Sequence, residues 1–308
     1  MVNASRVWII YFYVGLGLVG GHTVVAQPLD LSTDRRLLSF WEVVALQRYR
    51  LSSDLERRRG SLGFYDSELQ VGRSQLTRVG LLKLWAAYTY THFDFAEDTD
   101  LGLSTEKPFE TVHDTRISLQ FSTRLHPRWL ARVIATIGTR MESGASVDDA
   151  IYSRFALGFS YQVSDRFAIG PGLLVRASFA EDFVILPIAV IDWQITDRLS
   201  FRSRSDFRLS YLLDAKRTLT LSAVMAPFDR KEFRLDDAGS APGGIAKLRA
   251  FMAGAAVRWQ PVQPLTVKGN LFAVLNQKLT IDDQSGREVV DEELKNSVEF
   301  LVSVRYRF

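Results

Sequence analysis

The chain has 308 residues, 47% of them apolar, with 38 basic against 35 acidic side chains and no cysteine. This composition excludes a disordered chain, and the near balance of charge points to no partner of one sign, nucleic acid included. If exported, the chain must hold together without disulfides.

Arg6 precedes an apolar run from Val7 to Val19, and Val24-Val25-Ala26 places small residues before a cleavage point. Residues 1–26 therefore read as a secretory signal peptide; an apolar run of about 13 residues is short of the ~20 needed to cross a bilayer. Without them the chain carries 37 basic and 35 acidic residues. Residues 27–78 read as an N-terminal extension or partial plug. Within it "DRRLLSFWEVVALQRYRLSSDLERRRG" suits a helix or an irregular segment, and "LGFYDSELQVG" suits one extra strand.

From residue 79 onward the chain alternates in steps of two. Ile117, Leu119 and Phe121 alternate with Arg116, Ser118 and Gln120; Phe155, Leu157 and Phe159 alternate with Arg154, Ala156 and Gly158. Period two over about ten residues marks a strand between two different environments. Strands are expected near 79–95, 112–125, 129–141, 151–163, 167–179, 183–195, 198–204, 206–213, 217–227, 246–260, 265–280 and 296–308. Two segments break the pattern. At 246–260, Lys247 and Arg249 share a register with Phe251, Val257 and Trp259, so a bulge or another register is needed; 183–195 is apolar on both faces and contains Pro187.

Short turns such as His126-Pro127-Arg128, Ser164-Asp165-Arg166 and Thr196-Asp197-Arg198 separate many of these runs, and longer polar segments near 96–111, 142–150, 229–244 and 281–295 separate others. Antiparallel strands joined alternately in this way put short turns at one end and long loops at the other. Trp129, Tyr161, Phe167, Trp193, Tyr306 and Phe308 lie near the short-turn end, where an interfacial girdle belongs. The fold expected is all-β: an antiparallel up-and-down transmembrane β-barrel of twelve strands, within a range of ten to fourteen, over residues 79–308. A soluble β-sandwich also alternates, but it does not require long loops at one end only.

The signal peptide, the hairpin series and the closing "VRYRF" resemble bacterial outer-membrane β-barrel proteins, and specifically the outer-membrane barrel families of unknown function. The resemblance covers roughly residues 79–308. It implies a place in the outer membrane of a Gram-negative bacterium, in contact with outer-membrane lipids. It also implies that the barrel-assembly machinery recognises the last strand through Val302, Val304, Tyr306 and Phe308.

By alternation, Arg116, Arg124, Arg132, Arg140, Arg154, Arg176, Arg202, Arg204, Arg208, Arg305 and Arg307 face inward with Lys83, Lys268 and Lys278, against only Asp114, Asp192, Asp206 and Glu299. A low-dielectric wall focuses the field of such a lining and favours anions, unless the arginines pair across the lumen and fill it. The first outcome makes the protein a narrow pore or binding barrel for small anionic solutes. The second makes it a closed structural or surface-interaction barrel. With residues 180–182 and 228 counted among them, the segments at that end carry 20 acidic residues against 6 basic ones. Such a rim could hold divalent cations beside lipopolysaccharide, but it is more often merely solvated, and Asp282-Asp283 with Asp291-Glu292-Glu293 lacks the glycine turn of a calcium loop.

Past the signal only His92, His113 and His126 remain, and they assemble no Ser-His-acid constellation or histidine-rich metal cluster. An outer-membrane lipid-modifying enzyme is thus a minor alternative, and no cofactor, catalytic residue or metal ligand is assigned. Gly170-Pro171-Gly172 precedes no helix and reads as a bend rather than a phosphate loop. If Phe308 is an assembly signal, deleting it leaves export across the inner membrane intact but lowers insertion into the outer membrane, as cell fractionation would report. Normal insertion of that deletion would count against the role.

Overall fold

A computed structural model describes residues 39–308 apart from 104–106, 180, 205 and 240, and gives backbone alone at 181–182 and 227–228. The proposed signal peptide lies outside the described residues. Fifteen strands follow: β1 (Ser39–Asp54), β2 (Ser61–Leu76), β3 (Leu81–Phe95), β4 (Thr111–His126), β5 (Trp129–Glu142), β6 (Ile151–Ser164), β7 (Phe167–Ser178), β8 (Glu181–Gln194), β9 (Leu199–Ser203), β10 (Phe207–Leu212), β11 (Leu219–Arg234), β12 (Ile245–Val262), β13 (Leu265–Asp282), β14 (Glu288–Leu294) and β15 (Ser297–Arg307). Each pairs antiparallel with its neighbours, β12 pairs with β13, and β1 pairs with β15, so the sheet closes.

β14 and β15 both pair with β13 in one continuous register, Gln277 with Leu294 and Val274 with Ser297, and so form a single stave. The barrel therefore has fourteen staves. All twelve expected strands are among them, and the number falls within the expected range. The two added staves are β1 and β2, which correct the reading of residues 39–76 as an extension or partial plug. One extra strand would have spoiled the parity; two preserve it. At the seam, Trp41 and Phe308 exchange backbone hydrogen bonds of 2.8 and 3.0 Å.

The outward face carries Leu69, Val71, Leu84, Ile117, Leu119 and Ile137, all large, apolar and exposed, as lipid contact requires. The Trp129 ring lies 5.0 Å from that of Tyr161, tilted, and Phe167 meets Trp193 edge-on at 6.0 Å at the short-turn end. Tyr49, Tyr65 and Tyr88 form a second exposed belt towards the other end. From Trp41 to Tyr49 the strand rises roughly 20 Å once tilted by about 40°, close to the ~25 Å apolar band of such barrels.

Beyond the second belt the pattern inverts. Phe64, Phe93, Phe95, Leu279, Ile281 and Val290 point inward and are almost fully buried, joined by Leu101 and Phe109 from the β3–β4 loop and Leu235 and Ala241 from the β11–β12 loop. Phe109 sits 4.8 Å from Phe93 and 4.9 Å from Phe233, ring centre to ring centre. This inversion explains β12. Its own alternation is unbroken, with Ala246, Leu248, Ala250 and Met252 buried on one face. Lys247 and Arg249 stand on the outer face above the lipid and Phe251 on the same face within it, so the solvent changes rather than the parity. The register shifts lie opposite, between Ala226 and Asp229 of β11 and across Leu275 and Asn276 of β13, where Asn276 has φ +49°.

Connections at the long-loop end are unequal. Ser178 to Glu181 and Ser203 to Phe207 are short, and β14 occupies much of the segment expected to be a loop at 281–295. β9 and β10 are only 5 and 6 residues long. Above them β11, still paired with β12, parts from β10, bends across the barrel and pairs in parallel with β5 at Arg234 and Met141.

Candidate functional site

The crossing of β11 divides the interior into three places. The first is a layer of charges directly beneath the apolar core. Arg50, 2% exposed, meets Glu299 at 2.6 Å and Asp229 at 2.5 Å. Arg48 lies 3.5 to 3.6 Å from Asp66, Asp229 and Glu299. Lys231 reaches Asp66 at 2.8 Å, and Asp66 accepts a further hydrogen bond from Thr91 at 2.7 Å. Arg50 and Lys231 each lie 4.6 Å from the centre of the Phe64 ring, which joins the charge layer to the core above it. Further round, Arg116 pairs with Glu68 at 2.8 Å, and Asp114 binds Arg140 and accepts from Tyr152 at 3.0 Å.

Arg116 and Arg140, both in the inward set read from the sequence, are thus engaged with acids. Of those acids, Asp66, Glu68 and Asp229 were not in the expected inward set, because 27–78 was not read as staves and 229–244 was read as a loop. The signal was present: Asp66, Glu68 and Gln70 alternate with Tyr65, Ser67, Leu69 and Val71. Asp229, Glu232 and Glu292, counted with the rim, are on strands, and Glu292 is fully buried.

The second place is a side pocket between β11 and β5–β7, lined by Arg140, Tyr152, Arg154, Arg176, Ser178, Phe179 and Glu232. Glu232 pairs with Arg230 on the face of β11 opposite Lys231. Arg154 and Arg176 are direct cross-strand neighbours, and the Arg154 guanidinium stands 5.1 Å from the Tyr152 ring.

The third is the inner face of the short-turn half, called the basic chamber below for its charge. Lys83, Arg132, Arg202, Arg204, Arg208, Arg258, Lys268, Arg305 and Arg307 lie around it with Glu42, Asp192 and Asp206. Asp192 holds Arg202 at 2.9 Å and Arg204 at 2.7 Å, Asp206 holds Arg208 at 2.8 Å, and Glu42 lies 3.7 to 3.9 Å from Arg307 and Arg305. Nine basic groups face three acids. Arg124 stands exposed towards the rim of this end. Lys278 departs from its expected place: above the Asn276 bulge it lies on the outer face and pairs with Asp291 at 2.7 Å. In the turn after β10, the Leu219 amide and the Thr218 hydroxyl hold the Asp214 carboxyl below the usual carboxylate range.

On the outer face, His113 meets the Tyr88 hydroxyl at 2.7 Å through Nδ1 and the Ser143 hydroxyl at 2.9 Å through Nε2. The contact ties the aromatic belt to the rim, and the group on Nδ1 is a phenol rather than a carboxylate. Beside it, a cleft of about 250 Å³ is lined in part by Tyr49, Ser52, Tyr65, His92 and Asp94. Among the described residues, no group of three or more acidic or histidine side chains is placed to hold a metal ion.

A family model described as a domain of unknown function (DUF6268) matches residues 68–231, just over half of the chain. The chain belongs to the DUF6268 family. That match runs from β2 through most of β11 and so includes the side pocket and part of both other places. No curated protein matches this DUF6268 chain. Among solved structures it is similar to the COG4313 outer membrane channel from Pseudomonas putida F1, at 9% identity over 91% of this chain and 99% of that one, with a TM-score of 0.49. It is also similar to the P. putida toluene transporter TodX, at 8% identity over 88% and 90% with a TM-score of 0.39. A third is the NanC porin, at 12% identity over 86% and 98% with a TM-score of 0.37. This DUF6268 chain is a closed antiparallel β-barrel with large apolar side chains exposed on its outer face.

The charge layer gives a stability prediction. Replacing Glu299 by Ala removes the fully buried acid that Arg48 and Arg50 share and lowers stability by about 3–5 kcal/mol. Replacing Arg166, whose pair with Asp197 is exposed, costs less than ~1 kcal/mol. Urea unfolding of the refolded barrel followed by tryptophan emission measures both.

Proposed function

We propose that the protein resides in the outer membrane of a Gram-negative bacterium, short turns in the periplasm, and is a narrow pore or binding barrel for small anionic solutes. The observation that carries this reading is the chamber of the short-turn half, where nine basic side chains face three acidic ones. Partial burial against a low-dielectric wall strengthens the field of such a lining and raises the local concentration of anions. A small carboxylate or phosphate entering from the periplasm would meet Lys83, Arg132 and Lys268, whose neighbours there are mostly other cations. Assembly by recognition of Val302, Val304, Tyr306 and Phe308 fits their place on the outer face of the seam stave.

A second reading, a closed structural or surface-interaction barrel, has its own support in the apolar core and charge layer that fill the loop end. The chemistry of transport and of closure separates in planar bilayers. With a salt gradient across the membrane, the reading predicts steady conductance with a reversal potential of the sign set by anions, and a weaker anion preference for Arg132→Glu combined with Lys268→Glu. Cation preference in the unaltered protein would remove the anion assignment. No conductance together with no anion binding in the chamber would leave the closed barrel.

A further inference from the structure

The crossing of β11 leaves the wall incomplete. β8 pairs with β9 only over Ile191 to Gln194, and β10 pairs with β11 only up to Met225. Among the described residues, neither the β8 edge from Phe183 to Val190 nor the β11 edge from Asp229 to Phe233 has a partner strand on the side of this gap. Open strand edges are costly in lipid unless a cavity or a bound group lies against them.

β8 also breaks the rule of the other staves. Its outer face carries Phe183 and Ile185, and its inner face, where other staves are polar, carries Val184, Leu186, Ile188 and Val190, all partly exposed. Pro187 is tolerated there because the strand has a free edge. Gly172 on β7 makes room for this row: a Cβ added to it would come within 2.6 Å of Ile188 Cγ1. The result is an apolar trough roughly 20 Å long at about 3.3 Å per residue. Its upper end is charged. Val184 is the cross-strand neighbour of Arg176, and Arg176 of Arg154. Arg154 has a buried Nε without a hydrogen-bond partner and no carboxylate partner among the described residues.

We propose that the gap between β8 and β11 is a lateral doorway from the membrane, and that the trough behind it binds a single-chain amphiphile with a carboxylate head. The tail lies along Leu186, Ile188 and Val190, and the head meets Arg154 beside Tyr152. A carboxylate suits the site better than a phosphate because Asp114 already occupies Arg140 and Glu232 also lines the pocket, so little positive charge is left over. The planar guanidinium matches a carboxylate with two parallel hydrogen bonds. This site uses different arginines from the basic chamber and does not rest on the proposed solute path.

The test uses the full mature chain in phospholipid nanodiscs with spin-labelled dodecanoate. An immobilised spectral component is expected, displaced by unlabelled dodecanoate at least tenfold more effectively than by dodecanol, and not displaced by acetate. Arg154→Gln and Ile188→Asp each weaken binding at least tenfold, whereas Arg166→Gln, on an exposed turn, leaves it unchanged. Heat-modifiable gel mobility checks that each variant is a folded barrel. Undiminished binding in both folded variants, or acetate competing as well as dodecanoate, would overturn the doorway and its ligand. Tighter binding of dodecyl phosphate than of dodecanoate would overturn the choice of head group.

Discussion

The interior depends on one guanidinium. Arg50, on the first stave, is held between Glu299 of the last stave and Asp229 of the strand that crosses the barrel. Burying a cation and two carboxylates away from water costs several kcal/mol per ion unless geometry and further hydrogen bonds compensate. Here Arg48, Lys231, Asp66 and Thr91 supply the remaining partners. The layer fastens the seam of the barrel to β11 and holds the upper half of β11 away from β10. A dry core can then form above it and a basic inner lining below.

Two solvents act on the same staves. In the lipid zone apolar residues point out and polar ones in; beyond the aromatic belt of Tyr49 and Tyr65, apolar residues point in and Lys247, Lys278 and Asp291 meet water. The outer end is built like a small soluble barrel, with Phe109 edge-on to Phe93 and Phe233 at its centre. Drawing β11 inward to complete that core leaves β8 as an edge strand, and the composition of β8 suits a free edge. The seal, the gap and the apolar trough are thus connected consequences of one displaced strand.

Much of the fold was legible in the sequence because period two reports directly on a strand between unlike surroundings. The twelve staves from β3 to β15 and the inward parity of Arg116, Arg132, Arg154 and Arg202 were read that way. β2 was visible only as one optional extra strand and β1 not at all, because their inner faces carry Glu42, Arg48, Asp66 and Glu68, so that charged segments resembled an extension. Parity gives the face of a side chain, not its partner: Arg50 and Glu299 are 249 positions apart, and His113 and Ser143 are 30 apart. For the same reason the sequence showed many inward arginines without showing which were neutralised in the charge layer and which remained in the chamber. The double apolar face of 183–195 was visible from the start, but its meaning required the absent neighbour.

The central claim is that a crossing strand and its charge layer separate the basic lining of the short-turn half from a loop end constricted to all but small ions. The chain has no cysteine, so a single one placed at Ser303, on the inner face of β15 opposite Lys268, reports on access alone. In vesicles of known orientation, a membrane-impermeant anionic thiol reagent is predicted to modify that cysteine from the short-turn side and not from the loop side. Equal rates from both sides would contradict the account.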